Sequence, residues 1–125
     1  MVSGEVTNSL EPITELILIG KDRDQKERAV IDTGFNGFIS LSIRLLETLG
    51  WKHIGYERYE IATGETVRQR VYIGRVRFMD REQEVTAVAS GAKDALIGTR
   101  LLDVNQCILH VNFPKRSLWI KQNES

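Results

Sequence analysis

Asp32 is the residue in this chain best placed to do chemistry, because three apolar residues lead into it and a turn follows at once. The segment reads Ala29-Val30-Ile31-Asp32-Thr33-Gly34. A dry strand that hands a carboxylate to a Gly turn fixes the acid in position and leaves its outer side open. Two such carboxylates side by side cannot both ionise easily, so they share one proton. The ionised member then takes a proton from a bound water while the protonated member polarises a carbonyl. That is hydrolysis with neither a metal nor a covalent intermediate. One Asp cannot perform it, so the chemistry requires a second copy of the chain. Asp-Thr-Gly is also an ordinary turn tripeptide. Taken alone, it reads more simply as a strand-ending turn whose Asp caps the next segment.

The elements that must position Asp32 follow from apolar spacing. Leu16-Ile17-Leu18-Ile19 is an apolar run long enough for a buried strand and too short for a helix. The charged stretch from Gly20 to Arg28 predicts the solvated tip of a hairpin leading into Ala29-Val30-Ile31. Residues 1–12, ending at Pro12, predict a short first strand or a loose arm. After the Asp-Thr-Gly turn, Phe38-Ile39-Ser40-Leu41 reads as strand. Ser42 then caps a short helix with Leu45, Leu46 and Leu49 on one face and Gly50 as its terminator.

From Tyr56 the pattern is β again. Tyr59 and Ile61 lead to a polar tip, Ala62-Thr63-Gly64-Glu65, and Val67 to Ile73 return from it. Val76 and Phe78 alternate with Arg75 and Arg77, with a turn expected near Asp80-Arg81-Glu82 and a new strand from Val85 and Ala87. Ala95-Leu96-Ile97-Gly98 is followed by Thr99 to Asp103, enough for one helical turn. Cys107, Leu109, Val111 and Phe113 alternate with Ile108, His110 and Asn112, and Leu118-Trp119-Ile120 closes the pattern. Many short strands with frequent turns predict an all-β, closed barrel-like domain with one or two short helices. No repeat, linker or low-complexity tract divides it, so residues 1–125 are expected to form a single domain.

Composition narrows the function. Apolar residues at 42% and charged residues at 27% are ordinary for a globular chain. Lys plus Arg and Asp plus Glu number 17 each, so no net charge argues for nucleic acid or an anionic membrane. Cys107 is the single cysteine and has no internal partner, which fits a reducing cytoplasm. The sequence shows neither a secretory signal pattern nor an apolar run of membrane-spanning length, so a cytoplasmic protein is expected.

The combination of Val30-Ile31-Asp32-Thr33-Gly34 with Leu96-Ile97-Gly98 and Arg100-Leu101-Leu102-Asp103 resembles the retropepsin-like (clan AA) aspartic proteases. Gly34-Phe35-Asn36-Gly37-Phe38 and the hairpin around Ala62-Thr63-Gly64 extend the likeness, which runs from about residue 13 to 121. The small bacterial single-domain members are the nearest in wording. The resemblance implies an acid-protease half-domain and a homodimeric aspartic endopeptidase without a cofactor. It makes Asp32 the catalytic acid and base, one from each subunit. Thr33 becomes part of a hydrogen-bonded brace across the dimer axis, and Gly34 leaves room for substrate backbone. Ala62, Thr63 and Gly64 become the tip of a flap over an extended peptide. Leu96, Ile97 and Gly98 support the active-site loop. The resemblance also implies that the strand at Leu118-Trp119-Ile120 pairs with its copy in the dimer. Phe35 departs from the pattern, since the viral and pepsin-like members carry Ala or Ser there; an aromatic narrows the cleft.

Two other readings stand beside this one: a peptide-binding or dimerisation module that has lost turnover, and a structural β-domain in which Asp32 only caps a turn. The remaining residue types point to nothing competing. His53 and His110 lie near no cluster with metal-ligand spacing, so no metal is expected. Strand alternation sends Cys107 and His110 to opposite faces, which makes the thiol a packing group. Trp51 and Trp119 read as core or interface residues. No nucleophile elbow surrounds Ser40 or Ser42, and no Gly-Lys-Ser/Thr follows Gly37. Neither nucleic acid nor membrane is expected as a partner.

Overall fold

Ten strands in one sheet are ordered so that six of them close a ring, as seen in a computed structural model that describes residues 1–123. The strands are β1 (Val2–Val6), β2 (Pro12–Ile19), β3 (Asp24–Ile31), β4 (Ile39–Ser42), β5 (Lys52–Glu60), β6 (Thr66–Phe78), β7 (Arg81–Ser90), β8 (Ala95–Ile97), β9 (Cys107–Asn112) and β10 (Ser117–Gln122). Two short helices, α1 (Ile43–Leu49) and α2 (Thr99–Val104), interrupt them. The sheet order is β5-β6-β7-β4-β8-β3-β2-β1-β10-β9, and a further β6–β2 pairing closes the barrel. Ile17, Leu18 and Ile19 make that closure against Arg77, Val76 and Arg75. The all-β barrel with short helices is the expected fold class.

Alternation sets which side chains fill the ring. Leu16 and Leu18 of β2, Ala29 and Ile31 of β3, Val76 and Phe78 of β6, and Ile97 of β8 are buried together. On β6 the intervening arginines face out, where Arg75 pairs with Glu82 and Arg77 with Asp24. Trp51 joins the core from the start of β5. Its indole N–H donates to the Ile19 carbonyl at 2.9 Å, and its ring lies where a Cβ at Gly74 would stand.

Helix α1 has the ends its residues predict. The Ser42 hydroxyl accepts from the Leu45 N–H, and Gly50 ends the helix in the left-handed region at φ 72. Leu46 and Leu49 are buried beneath it. Some boundaries differ from expectation. Only residues 20–23 form the β2–β3 turn, because Asp24 to Arg28 pair in register with Ile19 to Glu15. The β6–β7 turn sits on Met79 and Asp80, both at positive φ, as a tight hairpin between right-twisted strands demands. Phe113 lies beyond β9 and is exposed.

The expected role of β10 in pairing two copies fails. Its residues bond to β1 on one side, Val2 opposite Ile120, and to β9 on the other, His110 opposite Trp119. Both edges are filled within the protomer because the amino-terminal segment is a paired strand. The free edge on this side of the sheet belongs to β9.

Among the described residues, no helix is long and apolar enough to cross a membrane.

Candidate active site

Strand β8 is wedged between β3 and β4, parallel to the first and antiparallel to the second. The Asp32 turn therefore leaves β3, crosses the end of β8 and re-enters the sheet as β4. Ile97 lies between Ile31 and Ile39, all three nearly inaccessible to solvent. Leu96, Ile97 and Gly98 thus sit directly against the turn that carries the acid.

Hydrogen bonds hold that turn from both sides. The Asp32 N–H donates to the Ile97 carbonyl at 2.9 Å, and the Gly98 N–H donates to the Phe38 carbonyl at 2.9 Å. The Thr99 N–H reaches the Phe35 carbonyl at 2.8 Å and the Arg100 N–H the Gly37 carbonyl at 3.2 Å. The first turn of α2 is thereby anchored to the loop, which satisfies amide groups that a helix start leaves unpaired. Within the loop, Asp32 Oδ1 accepts from the Gly34 N–H at 2.9 Å. A Cβ at Gly34 would stand only 3.2 Å from that same oxygen, so glycine keeps the carboxylate uncrowded. Asp32 is half-buried, and Thr33 and Gly34 are exposed.

The Asp32–Gly34 turn divides two recesses. On the Gly34 side an open recess of ≈ 730 Å³ is lined by Phe35 to Phe38 of the loop, Arg100 of α2, Thr86 of β7, and Glu57, Tyr59 and Gln69 of the β5–β6 hairpin. On the Thr33 side a recess of ≈ 480 Å³ is mostly apolar, bounded by Pro12, Val30, Leu96, Leu109, Val111 and Phe113. Phe35 is half-buried beside this turn. Its ring lies on backbone, so close that a Cβ at Gly37 would be 2.6 Å from the ring and one at Gly98 2.8 Å. The aromatic forms a wall of the larger recess.

Ala62, Thr63 and Gly64 form the exposed tip of the β5–β6 hairpin. Ile61 and Glu65 close the loop, and Gly64 adopts φ 87, the left-handed position such a three-residue loop requires. The larger recess takes its lining from the hairpin stem and not from this tip. Glu57, Tyr59, Gln69, Thr86 and Arg100 escape sequence reading as site residues. Alternation on β5 does place Glu57 and Tyr59 on one face, and the register sets Gln69 opposite Glu57. The Gln69 amide also donates to the Ala89 carbonyl at 2.9 Å, tying the stem to β7.

The other chemically capable residues lie elsewhere. Burial pushes the half-buried Cys107 thiol above its ordinary pKa, which favours the protonated form. His53 lies by the Gly55 carbonyl at 2.9 Å and packs on Tyr56 and Tyr72, while His110 stacks on Trp119. Among the described residues no group of three or more His, Cys, Asp or Glu is placed to hold a metal ion.

The sequence matches no protein-family profile and none of the curated protein sequences. Solved structures do resemble the chain. A retropepsin-like aspartic protease from Rickettsia conorii superposes with a TM-score of 0.69 at 16% identity, over 97% of this chain and 89% of that one. The EIAV protease, solved with the inhibitor HBY-793, gives 0.58 at 18% identity, over 79% of this chain and 93% of its own. A foamy viral protease-reverse transcriptase gives 0.52 at 17% identity over 74% of this chain. The closed barrel, with β8 wedged beneath the Asp32 turn, is the retropepsin-like fold of aspartic proteases.

Proposed function

We propose that this chain is an aspartic endopeptidase that works as a homodimer, each subunit giving one Asp32 to a shared site. The observation that carries the reading is the setting of Asp32. One carboxylate oxygen is held by the Gly34 N–H, and the turn stands between a peptide-sized recess and an apolar one. An extended peptide occupies the larger recess, beneath the hairpin whose tip is Ala62-Thr63-Gly64. The second copy covers the apolar recess and brings its own Asp32 beside the first, with Thr33 of each subunit bracing the contact.

The chemistry then follows from a shared proton. The ionised carboxylate takes a proton from water as the water oxygen attacks the peptide carbonyl carbon. The protonated carboxylate donates to the carbonyl oxygen. Collapse of the tetrahedral adduct breaks the C–N bond, and the leaving amine takes up a proton. No cofactor enters. The cytoplasm suits the unpaired Cys107.

The test is incubation with a diverse peptide library across pH, comparing wild type with Asp32→Asn. Cleavage is expected in the wild type, favouring acidic pH, and none in the variant, with fold and dimer intact. Cleavage retained by Asp32→Asn overturns the reading, as does a strict monomer at micromolar concentration in sedimentation. Peptide binding by a dimer that never cuts would identify a module without turnover.

A further inference from the structure

The β5–β6 hairpin carries a second surface that the cleft does not use. Glu57, Tyr59 and Gln69 line the larger recess, and alternation sets Tyr56, Arg58, Arg68 and Arg70 on the other face of the hairpin, although Arg68 and Arg70 also share a smaller recess with Tyr59, Gln69 and the end of β7 at Ala89 and Ser90. All four are exposed. The register sets Arg58 directly opposite Arg68 and Tyr56 opposite Arg70. Like charges facing each other across strands repel. Three arginines have carboxylate partners, Arg28 in Glu5, Arg75 in Glu82 and Arg77 in Asp24, whereas Arg23, Arg44, Arg81, Arg100 and Arg116 have none among the described residues. Among the described residues, Arg58, Arg68 and Arg70 have no such carboxylate partner. Glu60 shares their face but lies at the tip end, opposite Thr66.

One of the guanidiniums, Arg68, is also held in place. Arg68 stacks over the Tyr56 ring, 4.6 Å from its centre, which occupies the cation's flat face and leaves its N–H edge for an oxyanion. Beside this face runs the outer edge of β5, which pairs only with β6, so backbone N–H and C=O groups are open in the sheet plane. Arginines at strand spacing beside an open edge match an extended chain with carboxylates at every second position. Nucleic acid would leave the open edge unused, and the Tyr56 ring is already taken by Arg68 and His53.

We propose that the outer face of the β5–β6 hairpin, together with the free edge of β5, docks an acidic polypeptide segment in extended form. The segment adds to β5 as a strand, and its carboxylates receive the N–H edges of Arg58, Arg68 and Arg70. This site stands apart from Asp32 and does not depend on cleavage.

The test is fluorescence anisotropy of a labelled ten-residue peptide of alternating Glu and Thr titrated with the full-length chain. A Lys/Thr peptide and a ten-nucleotide oligothymidylate serve as comparison probes. Saturable binding of the Glu/Thr peptide is expected, weakened about tenfold in Arg58→Gln/Arg68→Gln as two charge-assisted contacts are lost. Arg75→Gln/Arg77→Gln removes the same charge from ion-paired positions and is expected to leave affinity within about twofold, since exposed pairs contribute little. Asp32→Asn is expected to bind as wild type, even if no peptide is ever cut. Failure of the Glu/Thr peptide to saturate, equal binding of the Lys/Thr peptide, or equal loss in the two double variants overturns the proposal. Tighter binding of oligothymidylate than of the Glu/Thr peptide reassigns the face to nucleic acid.

Discussion

The Phe35 ring lies against the backbone of Gly98, so that a Cβ at 98 would stand 2.8 Å from ring atom Cδ2 and 2.1 Å from the Gly37 carbonyl oxygen. Loop and strand β8 therefore meet backbone to backbone, with the aromatic closing over the contact. The glycine at 98 is required by this approach and not by its dihedral angles, since its φ is −94.

Gly98→Ala tests that contact. The added methyl group has backbone on one side and cannot be relieved by a side-chain rotation. A loss of roughly 2–3 kcal/mol is expected from overpacking, read as a lower urea midpoint with an unchanged slope. A neutral substitution would mean that the loop and β8 are not in close contact.

Phe35→Ala tests the wall of the larger recess. Uncovering Gly37 and Gly98 is expected to cost about 1–2 kcal/mol of lost apolar burial. It also widens the recess. On the peptidase reading, kcat/KM for peptides with a bulky aromatic residue rises relative to small ones; an unchanged ratio places Phe35 outside the substrate contacts.

Asn105→Ala probes the support of α2. The buried Asn105 amide donates to the Leu101 carbonyl at 2.8 Å and to Gln83 Oε1 at 2.9 Å, and accepts from Gln83 Nε2 at 3.1 Å. Truncation strands these partners, and roughly 2–3 kcal/mol is expected to be lost. Because α2 anchors the Asp32 loop through the N–H groups of Thr99 and Arg100, amide exchange at Thr99 and Arg100 is expected to quicken; unaltered protection there would uncouple the helix from the site.

Cys107 gives a pH signature. Its folded pKa is raised by burial above the ordinary value of 9.0. As pH climbs through 9, the unfolded thiol releases its proton before the folded one does, so unfolding becomes easier. The thiol's contribution is fully present below the unfolded pKa and is lost as pH rises toward the folded one. Cys107→Ala should flatten this alkaline decline; equal slopes in both proteins would show that the thiol ionises alike in the two states.

What the sequence made legible was local. The Ser42 cap, the Gly50 terminator and the approach of Ala29-Val30-Ile31 to Asp32 depend on neighbours within one element. Strand alternation likewise identified Val76 and Phe78 as the inward face of β6. What it hid depended on strand order. Nothing near Leu118 reveals that β1 will occupy one edge of β10, so β10 looked available to a second copy. Glu57, Thr86 and Arg100 share a recess only because β5, β7 and α2 converge on the loop. Phe35 lines the larger recess, as an aromatic that narrows the cleft must, but the glycines that receive its ring, Gly37 and Gly98, lie far apart in sequence and so could not be paired with it there.

The wedging of β8 also sets a timetable. During synthesis Asp32 leaves the ribosome long before Ile97, whose carbonyl receives its N–H, and before Thr99 and Arg100, which tie down the loop. Closing so long a loop is entropically slow and must precede the contacts that reward it. A nascent or truncated chain ending before β8 carries the acid but lacks the frame that sets its direction. Whatever Asp32 does is therefore withheld until β8 and the start of α2 have been made.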